Sequence, residues 1–576
     1  MIEKDEATLR AEQPVAQSRW TLVLSQGVPW AAWGWRAGLY LLFALLVLPP
    51  MAFVVWTSLK QGQAFSLAAY RDIFQSSEWP KLWQNTLVFA LGSTAVAAGL
   101  GLLMAWLVER TDSLGRSGAY AAVFAGVAIP GMIRVIGWIL LLAPKTGVVN
   151  LALSHWLGPG APSVNVESMG GMILVEGLFW APMAFLLLSG PIRHLDQGLE
   201  EAAITAGAAR WRVHLLITWR LLAPSILSVM VLTFIRAIQG FEVPLFLGVP
   251  GNVPVIASSI YIGLQEAFVP DYATASAYGV LMLAFLFLVL GLYAYVTRHA
   301  SRYQTVVGKG FRYQPTSLGR GRWIGGAVLW AIAVVQLLPA LYMILASFLK
   351  TASIAQVGDS LTWANYQALL QFPGIVQSLV NSLIIGLLTA TAAVLLALAV
   401  SWAMRWYGVH GLSSLVNLPL VFPGVVMSLA MLVMALRLPI SLYGTIWIFV
   451  VAYLATFTPY ALRYTQPALL QIHPELEEVA RTGGVGQGVI LTRLLLPLLR
   501  RALMGAWIFI FLISIRELAV ASLLYTAHTQ VIATQLLDMW VNGNLNVLSA
   551  FGTVITALGV GVGLLMWRLG GRGVQV

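Results

Sequence analysis

The 576-residue sequence contains no cysteine, and charged residues make up only 10% of it. Without cysteine the chain can form no disulfide, thiolate metal site or cysteine nucleophile. Its seven histidines are scattered, with no spacing typical of metal ligands. Soluble globular proteins usually carry about 25% charged residues, so this composition excludes that class. A hydrophobic content of 59% likewise excludes a disordered chain.

Long apolar runs recur along the whole chain instead. Each is about twenty residues or longer, enough for a helix to cross roughly 30 Å of hydrocarbon. The sequence therefore predicts an all-α polytopic membrane protein with about twelve transmembrane helices. The predicted spans lie near residues 37–57, 84–108, 119–143, 169–192, 221–240, 275–297, 324–348, 376–402, 412–436, 441–462, 494–514 and 547–568.

The net charge of +11 follows the predicted topology. If the N-terminus is cytoplasmic, most of the 33 Lys and Arg residues fall in inside loops, as the positive-inside rule requires. The sequence thus predicts cytoplasmic termini and no nucleic-acid partner. Residues 1–36 are polar and of mixed charge, which predicts no cleavable signal peptide before the first span.

The chain repeats itself. Asn85-Thr86-Leu87 and Asn381-Ser382-Leu383 open the second span of each half, and Ile129-Pro130-Gly131 and Phe422-Pro423-Gly424 lie in the third. From Trp180 and Phe457 onward the halves match at a constant offset of 277. Six spans is an even number, so both halves have the same orientation, a common plan among transporters. The predicted divisions are an N-terminal segment 1–36, a first half 37–297, a linker 298–323, a second half 324–568 and a tail 569–576.

An acidic motif follows the fourth span of each half. It reads Glu-Glu-Ala-Ala-Ile-Thr-Ala-Gly from Glu200 to Gly207, and Glu-Glu-Val-Ala-Arg-Thr-Gly-Gly from Glu477 to Gly484. The flanking apolar spacing predicts a short amphipathic helix that turns at the glycine. Small side chains would let the backbone of another protein approach closely, and the acids would pair with its basic groups.

These motifs resemble the EAA signature of ABC-importer permeases, whose coupling helix docks into a cytosolic ATPase subunit. The resemblance implies docking residues in both loops, namely Glu201, Ala202, Ala203, Gly207, Glu478, Ala480 and Gly484. Val479 departs from the signature, and Trp219-Arg220 stands where the second half has the family's Leu496-Pro497.

The resemblance also implies a type I importer fold in the inner (plasma) membrane of a bacterium. Two copies of an ABC ATPase subunit and an external or periplasmic solute-binding protein would be its partners, and transport would proceed by alternating access. The chain has no phosphate-binding loop, because Gly308-Lys309 is followed by Gly310. It is therefore predicted to be no enzyme by itself and to hold no cofactor, with ATP bound and hydrolysed by the partner.

Charged residues within spans or at span ends are candidates for a pathway or gate, because charge inside a membrane is costly. They are Arg134, Arg236, Glu242, Arg516 and Glu517. The alternative is that they snorkel or pair at the membrane interface.

The cargo is predicted from two segments. Residues 241–248 with Asp271-Tyr272-Ala273, and Arg516-Glu517-Leu518 in the second half, resemble the iron(III) permeases. Iron(III) is the expected cargo, with thiamine, phosphonate or polyamine as alternatives in the same class. A twelve-span secondary transporter is the alternative from another class. It would need coupling carboxylates deep in the bundle, where the first half offers only Glu176, and it has no use for the duplicated loops.

Overall fold

The first half is a chain of helices. The computed structural model describes residues 30–61, 64–158, 160–265, 268–297, 315–350, 361–409 and 411–570. The elements of the first half are α1 (Trp30–Ser58), β1 (Lys60–Gln61), β2 (Ala64–Phe65), α2 (Ala68–Gln75), α3 (Glu78–Glu109), α4 (Arg116–Ala128), α5 (Gly131–Leu142), α6 (Val148–Leu157), α7 (Met169–Arg193), α8 (Gln197–Thr205), α9 (Arg210–Val213), a π-helical segment (His214–Thr218), α10 (Trp219–Gln239), a second π-helical segment (Pro244–Gly248), α11 (Ile256–Gln265) and α12 (Tyr272–Thr297).

The second half follows the same order. Its elements are α13 (Gly321–Ser347), α14 (Ala364–Gln371), α15 (Ile375–Tyr407), α16 (Gly411–Asn417), a 3-10 turn (Leu418–Val421), α17 (Gly424–Arg437), α18 (Trp447–Leu470), α19 (Glu475–Thr482), α20 (Gln487–Val489), a π-helical segment (Ile490–Leu495), α21 (Leu496–Ile515), α22 (Ile532–Val541) and α23 (Leu545–Gly570). Within the described ranges, the strands form a single two-residue antiparallel pair, so the predicted all-α class is confirmed.

Nine helices of the described residues are long and apolar enough to cross a membrane. A tenth candidate is the pair that ends at Val421 and resumes at Gly424, bent by 102°. The third and tenth predicted spans are also helical, as α4 with α5 and as α18, but they are not among these ten. The third predicted span is divided at Pro130, and the tenth carries several polar side chains. The count of twelve spans stays a prediction.

Proline breaks the third predicted span of both halves at the same place. Ile129 and Phe422 precede the prolines and have extended backbones, with ψ of 127° and 123°. This is the conformation that a following proline imposes. A new helix then begins at Gly131 in one half and at Gly424 in the other.

Three helices form the centre of each half. In the first half α3 packs against α7 and α10, and in the second α15 packs against α18 and α21. Small residues permit the close approach: a Cβ on Gly101 of α3 would lie 2.5 Å from the Cβ of Ala184 on α7. Such small-residue contacts are typical of helices that associate within a membrane.

The first helix of each half lies between the two halves. Helix α1 packs against α12 of its own half and α17 of the other, and α13 packs against α23 and, reciprocally, α5. On α5 a Cβ at Gly137 would lie 2.3 Å from the carbonyl oxygen of Pro339 on α13. The reciprocal contacts show that the two halves repeat one arrangement of helices, while six spans in each half stays a prediction. The boundaries drawn from sequence stay predictions, since residues 1–29, 298–314 and 571–576 lie outside the described ranges.

Candidate functional site

The first acidic loop forms a short helix closed by a glycine. The side chain of Asp196 accepts a hydrogen bond from the backbone N–H of Gly198 at 2.8 Å, which caps the start of α8. At the other end Gly207 has a φ of +89°, and the N–H of Ala208 donates to the carbonyl oxygen of Ala203 at 3.0 Å. This is a left-handed helix stop that favours glycine.

The second loop repeats this geometry 277 residues later. Gly484 has a φ of +78°, and the N–H of Val485 donates to the carbonyl oxygen of Ala480 at 3.0 Å. A π-helical segment then leads into the next long helix in both halves, at 214–218 and at 490–495. The sequence pattern predicted the helix and its glycine stop, but contained no signal for the π-helical segments.

The residues expected to dock an ATPase lie on the outer side of these loops. Glu201, Ala202 and Gly207 are exposed, as are Glu478 and Gly484, whereas Ala203 and Ala480 are half-buried. A partner could therefore reach the small residues and both carboxylates without any rearrangement of the loop. Docking itself stays a prediction.

The first acid of each motif points the other way. Glu200 lies 2.5 Å from Arg110 at the end of α3, and Glu477 lies 2.7 Å from Arg405 in the last turn of α15. Sequence reasoning did not select these four residues. The available signal was the acidic doublet itself, together with an arginine that ends the second span of each half.

A second group of charges lies where the two halves meet. Arg134 of α5 is buried and within electrostatic range of Glu176, Glu242 and Arg516, while Glu517 interacts with Glu242 and Arg516. The guanidinium of Arg134 also stacks on the ring of Phe179, 3.8 Å from its centroid. Glu242, Arg516 and Glu517 keep partial exposure, so the group borders accessible space.

The two carboxylates of this group, Glu242 and Glu517, occupy related places. Glu242 packs against Gly131 and accepts a hydrogen bond from the N–H of Met132, in the first turn of α5. The carboxylate of Glu517 packs near Gly424, the first residue of α17, and accepts from the N–H of Val520 at 3.1 Å. Each carboxylate thus lies beside the first residue of the helix that follows the proline break of its half.

Arg236 joins the halves directly. It donates to Tyr460 of α18 and, at 3.2 Å, to the side-chain oxygen of Gln239. Gln239 in turn donates to the carbonyl oxygens of Leu420 and Val421, just before the Pro423 break. All five charged residues predicted for a pathway or gate thus lie at the boundary between the halves. Arg236 is connected to the other four by its electrostatic interaction with Glu517. Glu176, which looked isolated in the sequence, joins them.

Comparison with known proteins finds a matching family model in the first half. Residues 97–302 match the family model of the binding-protein-dependent transport system inner membrane component. That range contains α8 and most of the helices around it, and the same arrangement recurs in the second half. Over residues 97–302 the chain matches the membrane component of ABC importers.

Its relatives include permeases named for ferric transport. The chain is similar to the ferric transport system permease protein FbpB of Actinobacillus pleuropneumoniae, 24% identical over 92% of this chain and 77% of that protein. The Fe(3+)-transport system permease protein FbpB 2 of Haemophilus influenzae is 22% identical over 86% of this chain and 90% of its own length. The molybdenum transport system permease protein ModB of Escherichia coli is 29% identical over 32% of this permease and 80% of its own length.

Proposed function

We propose that this permease is the membrane subunit of an ATP-driven importer of iron(III). Two copies of a cytosolic ABC ATPase subunit dock on α8 and α19, and an external solute-binding protein delivers the cargo. The observation that carries this proposal is the duplication of one loop geometry: an exposed acid-and-alanine helix closed by a glycine with positive φ, at Gly207 and again at Gly484. Two equivalent docking surfaces match a pair of identical partners.

The extent of similarity favours iron(III) as the cargo. Relatives named for ferric transport align with 92% and 86% of the chain, so they account for both halves. The relative named for molybdenum transport aligns with only 32% of it. A fused two-half permease is therefore better explained by the ferric group than by transporters of oxyanions.

The crossed packing of the halves suits alternating access. Since α1 contacts the second half and α13 the first, neither half can turn without moving a helix that the other half holds. Closure of the ATPase subunits on ATP would draw α8 and α19 together and open the opposite face toward the binding protein. Hydrolysis then resets the inward-facing state. ATP is bound by the partner, both termini face the cytoplasm, and the membrane is the bacterial inner membrane.

Reconstitution with the partners tests this function. The permease, its ATPase subunit and its binding protein are placed in liposomes, and ATP hydrolysis and uptake of radiolabelled iron are measured. The binding protein is added empty or loaded with iron(III), and molybdate is offered as a second cargo. We expect stimulation by the iron-loaded protein alone. Stimulation by molybdate, or equal rates with empty and loaded protein, would reject iron(III), and failure to retain the ATPase subunit would reject the importer assignment.

A further inference from the structure

An arginine ties each coupling helix to the second long helix of its own half. Arg110, the residue that follows α3, contacts Glu200 and donates to the carbonyl oxygen of Leu195 at 3.4 Å. Arg405, in the last turn of α15, contacts Glu477 and donates to the carbonyl oxygen of Ile472 at 2.8 Å. We call each set, arginine, carboxylate and carbonyl, a latch.

The two latches share the positions of their carboxylates and carbonyls, whereas their arginines come from the ends of corresponding helices but are 295 residues apart. Leu195 and Ile472 both lie two residues beyond the fourth long helix of their half and are related by the offset of 277, as are Glu200 and Glu477. The arginine side chains are 3% and 13% exposed. Both halves thus use a largely buried arginine at the end of the same helix to hold the same two positions of the loop.

The bridged helices are central to their halves. Helix α3 packs against both α7 and α10, and α15 packs against both α18 and α21. The planar guanidinium holds a carbonyl oxygen and a carboxylate at once, which fixes the angle as well as the distance between the two segments. A displacement of α8 or α19 would therefore also displace the central helix of its half, α3 or α15.

The first latch has two additional supports. The hydroxyl of Thr218 donates to Glu200 at 2.6 Å, from the π-helical segment that leads into α10. The backbone of Arg110 is held by the segment that precedes α13, where the N–H of Thr316 donates to its carbonyl oxygen at 2.8 Å. Asp112 extends this contact by accepting from the N–H of Leu318 at 2.8 Å. The first coupling helix is thus also connected to the segment that joins the halves.

We propose that Arg110 and Arg405 are positioning residues that couple movement of the docked helices α8 and α19 to the central helices α3 and α15. Glu201 and Glu478 face the partner, whereas Glu200 and Glu477 face the arginines. This inference rests on the proposed function, because it assigns a role to the helices on which the ATPase docks. In each acidic doublet, the second glutamate then contacts the ATPase subunit and the first transmits the movement to the central helix.

The ratio of iron uptake to ATP hydrolysis tests the latches. Arg405→Gln and Glu477→Gln are compared with the parent in the reconstituted complex, and Arg110→Gln provides the same test in the other half. We expect the ATPase subunit to remain bound while uptake per ATP falls about tenfold, within the usual range of coupling between distant sites. Arg405→Lys keeps the charge but loses the planar fork, so it should restore only part of the ratio.

The ratio separates positioning from folding. Fewer folded molecules lower uptake and hydrolysis together and leave their ratio unchanged. Arg437→Gln, at an exposed arginine that ends α17, is the matched control and should keep the parental ratio. An unchanged ratio in Arg405→Gln and Arg110→Gln would overturn the proposal. Loss of the ATPase subunit from these variants would also overturn it, by assigning the latches to docking. If the parent itself retains no ATPase subunit, the proposed function fails instead.

Discussion

The carboxylate of Glu242 occupies the space that a side chain at Gly131 would need. A Cβ on Gly131 would lie 1.9 Å from Oε2 of Glu242 and 2.7 Å from Cε2 of Phe179. Glycine at position 131 therefore leaves room for the carboxylate of Glu242. Its backbone does not require glycine, because its φ is not in the left-handed region. In the second half a Cβ on Gly424 would lie 2.6 Å from the Cβ of Ala519, whereas Oε1 of Glu517 would be in ordinary contact at 3.4 Å.

Gly131→Ala should displace Glu242 and destabilise the permease. The carboxylate and Phe179 cannot both stay in place, and overpacking of this kind typically costs about 1–3 kcal/mol. We expect a lower thermal midpoint of the purified protein and reduced uptake. Gly99→Ala is the matched control, because no atom lies within 4 Å of its Cβ position on α3. Equal midpoints for the two variants would contradict the close contact.

Removing one charge from the group between the halves should cost more than removing two. In the parent protein the carboxylate of Glu242 offsets the charge of the buried Arg134 guanidinium, and Glu242→Gln removes that carboxylate. The loss should lie between the roughly 1 kcal/mol of an exposed pair and the 3–5 kcal/mol of a buried one. The double variant Glu242→Gln with Arg134→Gln should recover part of the stability, as measured by denaturant unfolding in detergent. Additive losses would mean that the two groups do not interact.

Local chemistry explains which parts of this molecule are predictable from sequence. The coupling helices and their stops at Gly207 and Gly484 follow from residue spacing and from the backbone freedom of glycine. The breaks at Pro130 and Pro423 likewise follow from the proline ring. The offset of 277 then relates the two halves residue by residue.

Contacts between distant segments were beyond the same reasoning. Arg110 and Glu200 are ninety positions apart, and only the packing of α3 against α7 brings them together. Glu176 appeared to be a lone carboxylate for the same reason. The short helices α2, α6, α11, α14 and α22 lie between long apolar runs, where composition gives only a weak helical signal.

Gly484→Val should uncouple hydrolysis from uptake without preventing membrane insertion. No atom lies within 4 Å of a Cβ at this position, so the effect comes from the backbone, whose φ of +78° disfavours a β-branched residue. The strain is of order 1–3 kcal/mol and would distort the stop of α19. Gly484→Asn is the informative partner variant, since asparagine tolerates this region and should retain most of the uptake. Equal loss in both variants would point to a steric requirement of the docking surface.

Asp538 predicts a pH dependence of stability. Burial raises the pKa of this carboxyl above its ordinary value, and the hydrogen bond from the hydroxyl of Tyr525, at 3.3 Å, opposes only part of the rise. The folded protein therefore keeps this proton to a higher pH than the unfolded chain does. Stability from this group is full below the unfolded pKa and is lost as the pH rises through the folded pKa.

Asp538→Asn should remove that loss, because a neutral amide does not titrate. We expect its thermal midpoint to exceed that of the parent at pH 7 and the difference to shrink as the pH approaches the ordinary aspartate pKa of about 4. Asp72→Asn, at an exposed aspartate of α2, is the control and should follow the parent throughout. A difference that grew toward acidic pH would reverse the sign of the effect and show that the charged form of Asp538 stabilises the fold.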